Sequence, residues 1–505
     1  MRARDEAVLE ERRVRIVERL DPQWQEEMAA PMFGGTNLRY EMSARVAAIP
    51  CGGIGLIQEF VRAIGLAEAI DGRVQVLKRH FPYHESDHVL NMTYNILAGG
   101  TRLEDLERLR TNEAYLDTLG SRRIPDPTTA GDFLRRFKKE EDVMDLMGAT
   151  NIARIRVWQR LAKKDRQLAL IDTDGTLAPT TGECKAGMDI SYKGTWGYAP
   201  LLVTLANTQE VLFVKNRPGN QPSHSGAVAY MDAAVALVRK GGFKRVRLRG
   251  DTDFSLTTEF DRWDEGGVEF VFGIDAHPSF VTRASAVPEA AWQKVERTAQ
   301  YAPSGARERP ENVKEQIVVA RGYTNLVLEE EHIAEIAYTP SCSDKTYRMI
   351  VLRKIIRTEK HQQLLFRKTR YHFYVTNVAE TILSTRAVVA EANARCNQEN
   401  LIEQLKNGVQ GMRMASDGLV SNWAYLVIAA LAWNLKAWLA ICWPTAEPRR
   451  ELRRMEFRRF LHTLMLLPCQ VVKTARRVVL RILTYSPWAR VLLEGIPFFR
   501  RQRFA

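Results

Sequence analysis

The spacing of apolar and polar positions changes character along the chain. Over residues 1–165 apolar side chains recur every three or four positions, in Ile54 to Ile70, Asp87 to Leu97 and Thr128 to Phe137, with Gly or Pro between the runs. That period predicts amphipathic helices. In RRIPDPTTAGDFLRRF (122–137) a turn precedes a helix that Thr128 or Thr129 can cap and that Arg135, Arg136, Lys138 and Lys139 decorate. From Gln167 the runs shorten. LALIDTD (168–174), GYAPLLVTLAN (197–207), VLFVKNR (211–217), RVRLRGD (245–251) and VEFVFGID (268–275) predict strands. AVAYMDAAVALVRKGG (227–242), closed by glycines, and SLTTEFDRWDEGG (255–267) predict helices between them.

Three antiparallel strands followed by strands joined through helical crossovers give a mixed α/β sheet of the ribonuclease H kind, flanked by helices. Residues 276–370 interrupt it with strand-like runs at 316–321, 325–338 and 347–356, a β-rich insertion. RYHFYVTN (370–377) leads back, and 384–408 is helical again. The expected organisation is a helical N-terminal region (1–165), whose Arg- and Lys-flanked helix suits a DNA groove, a core in two parts (166–275 and 371–444) around the insertion (276–370), and a basic helical C-terminal region (445–505).

Charge sharpens this picture. The chain of 505 residues carries a formal charge of +13, and from Arg449 onward 14 basic residues face only Glu451, Glu456 and Glu494. A polyanionic partner is the first expectation, and double-stranded DNA is favoured over a membrane surface, the rival for an Arg-rich tail interleaved with Phe, Trp and Leu. WAYLVIAALAWNLKAWLAICW (423–443) is long enough to span a bilayer, but Asn434 and Lys436 interrupt it, so it is expected to be a buried core helix and no membrane is expected. The six cysteines are scattered without a CxxC pair, which argues against a disulfide framework or structural zinc. The charged N-terminus lacks the apolar run of a secretory signal, and a cytoplasmic, nucleoid-associated protein is expected. His80, His84 and His88 repeat every four residues, but Pro82 breaks the helix that would align them as metal ligands. RPGNQPSHSG (217–226) has no GxxxxGK pattern, so no nucleotide cofactor is expected.

The candidate chemistry lies at strand ends. Asp172 and Asp174 share one face of the first strand, and Asp251 closes the fourth. In the expected sheet these strands are neighbours, and carboxylates converging there call for a hard divalent counter-charge, Mg²⁺ or Mn²⁺. Two such ions can serve phosphodiester chemistry. A third acid is expected from the 384–408 helix. At 100° per residue Glu399 lies about 40° and Lys406 about 20° from Arg395, an acid for metal between two cations for phosphate, with Glu403 about 80° round the same side.

IDTDGT, NRPGN, RLRGDTDF and the spacing Arg-x₃-Glu-x₆-Lys at 395, 399 and 406 together resemble a bacterial insertion-sequence transposase of the DDE (Asp-Asp-Glu) type with a ribonuclease H-like core. The last spacing is similar to the Tyr-Arg-Glu-Lys signature of its cut-and-paste, hairpin-forming branch, although Ala392 stands at the Tyr position. The likeness extends to 52–71, 95–110, 125–137 and 471–482. It implies Asp174, Asp251 and Glu399 as catalytic and metal-binding acids, with Asp172 as the alternative first aspartate. Asp174 is preferred because Gly175 and Thr176 follow it. It further implies Arg395 and Lys406 as phosphate contacts and residues 276–370 as a hold on a distorted DNA end, while the basic flank of the 128–137 helix and the Arg-rich tail offer Arg135, Arg136, Arg476 and Arg477 as DNA contacts. The implied activity is binding of inverted repeats, hydrolysis and strand transfer with two Mg²⁺ (or Mn²⁺) ions per active site, by a homodimer on paired ends. An inactive DNA-binding repressor of the same fold and a nuclease without strand transfer are the rival readings.

Overall fold

The computed structural model describes residues 3–20, 38–43, 45–296, 316–317, 320–322, 324–360, 363–474, 477–502 and 504. Five strands, β1 (Leu168–Gly175), β2 (Leu201–Leu205), β3 (Glu210–Lys215), β4 (Arg245–Gly250) and β5 (Val268–Ile274), lie side by side in the order β3-β2-β1-β4-β5. β1, β2 and β3 are antiparallel neighbours, and a short turn suffices to join β2 to β3. β4 and β5 run parallel to β1 and to each other, which requires crossovers. The helices Ala227–Lys240 and Phe260–Glu265 supply them. The second is shorter than 255–267 because two 3₁₀ turns precede it, the first capped by the Asp251 side chain accepting from the Asp253 amide at 3.0 Å.

The insertion continues this sheet. β6 (Asn325–Tyr338), β7 (Tyr347–Lys360) and β8 (Gln363–Thr376) form an antiparallel meander, and β8 pairs with β5 from Phe373 opposite Ile274 to Thr376 opposite Val271. The open edge of β5 is thereby covered. The strand expected at 316–321 is not present among its described residues. Gln316, Ile317 and Ala320 are helical, and the Arg321 amide bonds the Ile317 carbonyl four residues back at 2.9 Å.

On the other flank, helix α1 (Glu140–Trp158) and helix α2 (Leu419–Cys442) pack together beneath β3. α2 is the Trp-rich segment, and its most apolar stretch lies entirely inside the protein. Its polar atoms meet sheet backbone: Asn434 bonds both N and O of Val211 (2.9 and 3.0 Å), and Trp423 Nε1 donates to the Val214 carbonyl. Lys436 is sealed in beside the Trp433 ring, 4.3 Å from its centroid, with its ammonium on the carbonyls of Met455 and Arg453. Burial depresses its pKa to about 7.

The two ends of the chain meet. The C-terminal region, expected to be helical, contains a hairpin, Cys469–Thr474 with Arg477–Ile482, whose first strand pairs with Ala47–Ile49. The β-branched pairs Val471-Val472 and Val478-Val479 favour strands there, against the helical expectation. Gly53 allows the close approach, since a Cβ would sit 2.1 Å from the Leu464 carbonyl oxygen. At 127–134 the helix cap is Asp126, which accepts from the Thr129 amide at 2.9 Å, in place of Thr128 or Thr129; Pro127 fills the first helical position.

Glu210 is the ionic anchor of this core. It is fully buried and accepts from Arg154 Nε (2.9 Å), Trp158 Nε1 (2.8 Å) and Trp438 Nε1 (2.6 Å). Glu210→Ala strands the buried Arg154 charge and is expected to lower stability by about 3–5 kcal/mol in urea unfolding. Arg154→Met combined with Glu210→Leu should recover most of that loss; a loss below about 1 kcal/mol for Glu210→Ala would contradict this account.

Candidate active site

The register of the parallel pair β1–β4 sets Asp172 opposite Arg249. Arg249 closes a fork on Asp172, Nε to Oδ1 at 2.6 Å and Nη2 to Oδ2 at 2.7 Å, with the two side chains 3% and 1% exposed. Burial raises the Asp172 pKa and the Arg249 fork opposes that rise. Both oxygens of Asp172 are therefore occupied within the sheet.

Asp174 lies two residues further on the same face, at the mouth of the sheet, and Asp251 follows the end of the neighbouring β4. One guanidinium bridges them: Arg395 Nη1 is 3.3 Å from Asp174 Oδ2, and Nη2 is 3.5 Å from Asp251 Oδ2. Burial pushes the Asp174 pKa up to about 6, with Arg395 countering and the Asp251 charge adding to the rise. Asp251 is likewise raised by burial against Arg395, with Asp253 and Asp275 adding to it.

Arg395 reaches this place because β4 grips the helix that carries it. Arg245, Arg247 and Arg249 project from one face of β4. Arg247 joins Glu269 (2.7 Å) and Glu391 (2.5 Å), while Arg249 Nη1 donates to the Glu391 carbonyl at 3.2 Å. Glu391 belongs to the helix Thr385–Ala394, which ends one residue before Arg395. The 384–408 segment is thus not the continuous helix expected. It breaks at Arg395, resumes over Cys396–Glu403 and widens into a π-turn over Gln404–Gly408. A constant 100° per residue does not survive those changes of winding.

The consequence is selective convergence. Lys406 is half-buried, its pKa lowered by burial and raised in turn by the charges of Glu403 and Asp174. Glu399 is exposed, as is Glu403, which accepts from Asn407. Among the described residues no three His, Cys, Asp or Glu side chains gather as a metal site. Asp174, Asp251, Arg395 and Lys406 are therefore brought together, and Glu399 is not among them. Gln398, buried beside Glu399, has neither amide atom hydrogen-bonded.

The remaining predicted contacts are dispersed. Arg135 is paired with Asp132 (3.0 Å) and Asp417 (3.4 Å), and Arg136 is exposed. Arg477 opens the second hairpin strand and is exposed; Arg476 lies outside the described residues. His88 stacks on Phe133 at 4.3 Å, while His80 meets Glu85 at 3.0 Å. Sequence reasoning missed Arg249, Arg247 and Asp275. The alternation of three arginines in RVRLRGD was the available signal for a charged strand face.

Asp174 and Asp251 suit a hard divalent cation. They are oxygen donors that repel each other, both raised in pKa by burial, and a single guanidinium already draws on both.

A family model described as transposase DDE domain group 1 matches residues 49–503. No curated protein matches the chain. Among solved structures it is similar to one described as the cryo-EM structure of a piggyBac transposase synaptic complex with hairpin DNA, at 11% identity over 90% of this chain and 88% of that chain. The TM-score of that likeness is 0.31. The match over residues 49–503 makes this chain a member of the transposase DDE domain group 1 family.

Proposed function

We propose that this protein is a DNA transposase that binds the inverted repeats at transposon ends, hydrolyses phosphodiesters there and joins the freed 3′-ends to target DNA. We infer that the five-strand core is ribonuclease H-like, on the order β3-β2-β1-β4-β5 and its strand directions. The observation that carries the reading is the pair Asp174 and Asp251 at the ends of adjacent parallel strands, sharing Arg395.

In this reading Asp174 and Asp251 hold Mg²⁺ or Mn²⁺, and Glu399 joins as the third acid. The bound ions supply positive charge at the attacking and leaving oxygens of the phosphodiester. Arg395 then exchanges carboxylate oxygens for phosphate oxygens, for which its planar fork is equally suited, and Lys406 serves as a point charge on a second phosphate. Asp172 is assigned to hold Arg249 in the sheet. The unpaired amide of buried Gln398 supports a shift of the 396–403 turn when Glu399 joins, since a buried amide left unbonded is unfavourable. The assigned regions are 1–165 and 445–505 for DNA, 166–275 with 371–444 for catalysis and 276–370 for holding the DNA end, in a homodimer on paired ends. The exposure of Glu399 favours one second reading, a DNA-binding protein that keeps the fold without turnover.

Cleavage of a labelled transposon-end duplex with Mg²⁺ or Mn²⁺ tests this. Asp251→Asn and Glu399→Gln should each lose at least about 100-fold in nicking while DNA binding is kept. Binding without cleavage by the wild type would favour the inactive reading, and cleavage without joined products would favour a plain nuclease.

Asp172→Asn should instead act on the fold, lowering stability by about 3–5 kcal/mol, because it breaks a buried ion pair. Asp174→Asn should unfold at nearly the wild-type urea concentration. The reverse pattern would make Asp172 the first acid.

With its pKa raised to about 6, Asp174 holds a proton below that pH, and a metal must displace it. Mn²⁺ affinity should therefore be level above about pH 7 and fall about tenfold per unit as pH drops below 6. An affinity flat from pH 5 to 7 would contradict a role for Asp174.

A further inference from the structure

Between Asp174 and β2 the chain makes an excursion that the phosphoryl-transfer chemistry leaves unused. Ala178–Pro179, Asp189–Ile190 and Trp196–Tyr198 form a small three-stranded sheet with the last of these in the middle. Ile190 lies directly across from Trp196, so their side chains share a face. That face is open: Ile190 is 47% exposed, Trp196 55%, and Tyr192, in the turn joining them, 85%. The Lys193 ammonium stands 5.3 Å from the Tyr192 ring centroid.

These exposed rings stand on a rigid support, and the NRPGN loop is part of it. Arg217, itself buried, donates Nε to the Ala199 carbonyl at 2.8 Å and Nη1 to the carbonyls of Ser223 (2.9 Å) and Ser225 (2.7 Å). The Ala199 amide returns a bond to the Arg217 carbonyl at 2.8 Å. Gly219 backs onto the small sheet so closely that a Cβ would lie 2.3 Å from the Asp189 carbonyl oxygen. From the opposite side the Ala186 amide bonds the Asp417 carbonyl at 2.7 Å, and Tyr198 Oη donates to the Ala186 carbonyl at 2.9 Å. The flap is thus fastened both to the NRPGN loop and to the turn before α2.

A fastened sheet that leaves a Trp, a Tyr and an Ile in water, a few residues after a candidate catalytic acid, suits a ligand with a flat apolar face. Bases inside a duplex have both faces covered by stacking; an unpaired base offers one. Stacking on an aromatic ring tolerates any base, and a lysine beside the ring matches the phosphate that accompanies it. We propose that the flap 178–198 is a stacking platform for an unpaired nucleobase at the DNA end, with Trp196 and Ile190 under the base, Tyr192 flanking it and Lys193 on the adjoining phosphate. This rests on the transposase reading, which brings a DNA end to Asp174 and Asp251.

The test uses the full-length chain and two labelled duplexes, one blunt and one with a short single-stranded overhang, followed by fluorescence anisotropy. The wild type should prefer the overhang. Trp196→Ala should lose about tenfold on the overhang duplex and nothing on the blunt one, while Trp196→Phe keeps most of the preference. Because stacking releases no counterions, Trp196→Ala should leave the salt dependence unchanged, whereas Lys193→Ala should reduce its slope by about one. Trp196 is exposed, and an unchanged urea midpoint verifies that the variants fold. Wild-type binding of both duplexes with an unaltered overhang preference in Trp196→Ala overturns the platform and spares the transposase reading. A change of oligomeric state in Trp196→Ala at equal DNA binding also overturns it, assigning the face to a second copy of the chain. Wild type that binds neither duplex overturns the transposase reading and the platform together.

Discussion

The parallel pairing of β1 with β4 is the constraint on which the site depends. Its register puts Asp172 against Arg249, and the bidentate pair they form has no room for a one-residue slip. Once that pair is set, the side chain two residues on, Asp174, and the residue that ends β4, Asp251, arrive at one edge of the sheet. The same strand carries Arg247 and Arg249 out to Glu391, which moors the helix bringing Arg395 between the two aspartates. A ladder of buried charge inside the sheet thus positions the charges that face solvent. Removing one member leaves a partner unpaired in a poorly solvated place, so the ladder is intolerant of single changes.

At the mouth of the site the balance is different. Two carboxylates raised in pKa by burial, Asp174 further by the charge of Asp251, share one guanidinium, and Lys406 stands nearby. Burial raises both aspartates by more than Arg395 lowers them, so neither carboxylate is fully compensated by that one guanidinium. In the proposed reading a cation or a phosphate entering there would change which groups Arg395 holds. That makes Arg395 the group whose allegiance differs between the resting arrangement and an engaged one.

Much of this was legible in the sequence. Short apolar runs ending in acids marked β1, β4 and β5 almost to the residue, and the charges buried inside them, Asp172, Arg247 and Arg249, are tolerated because each is paired. The Trp-rich helix was readable as core from Asn434 and Lys436, both of which bond backbone groups inside the protein. The third acid was harder. Helical periodicity assumes constant winding, and the break at Arg395 followed by the π-turn at Gln404–Gly408 changes the phase between Arg395 and Lys406. The C-terminal hairpin was missed because its partner, Ala47–Ile49, lies more than 400 residues away in sequence, where no local pattern can announce it. NRPGN was recognisable as a motif, but its role in fastening the flap follows only from backbone contacts that side-chain patterns do not encode.

The central claim is that Asp174 and Asp251, and not Asp172, form the cation site. Mn²⁺ binding by electron paramagnetic resonance, compared across Asp174→Asn, Asp251→Asn and Asp172→Asn under conditions where each variant is folded, tests it most directly. The account predicts that free Mn²⁺ rises to the level of the protein-free control for Asp174→Asn and Asp251→Asn, while Asp172→Asn binds as the wild type does. Mn²⁺ bound normally by folded Asp174→Asn, or lost from folded Asp172→Asn, would contradict it.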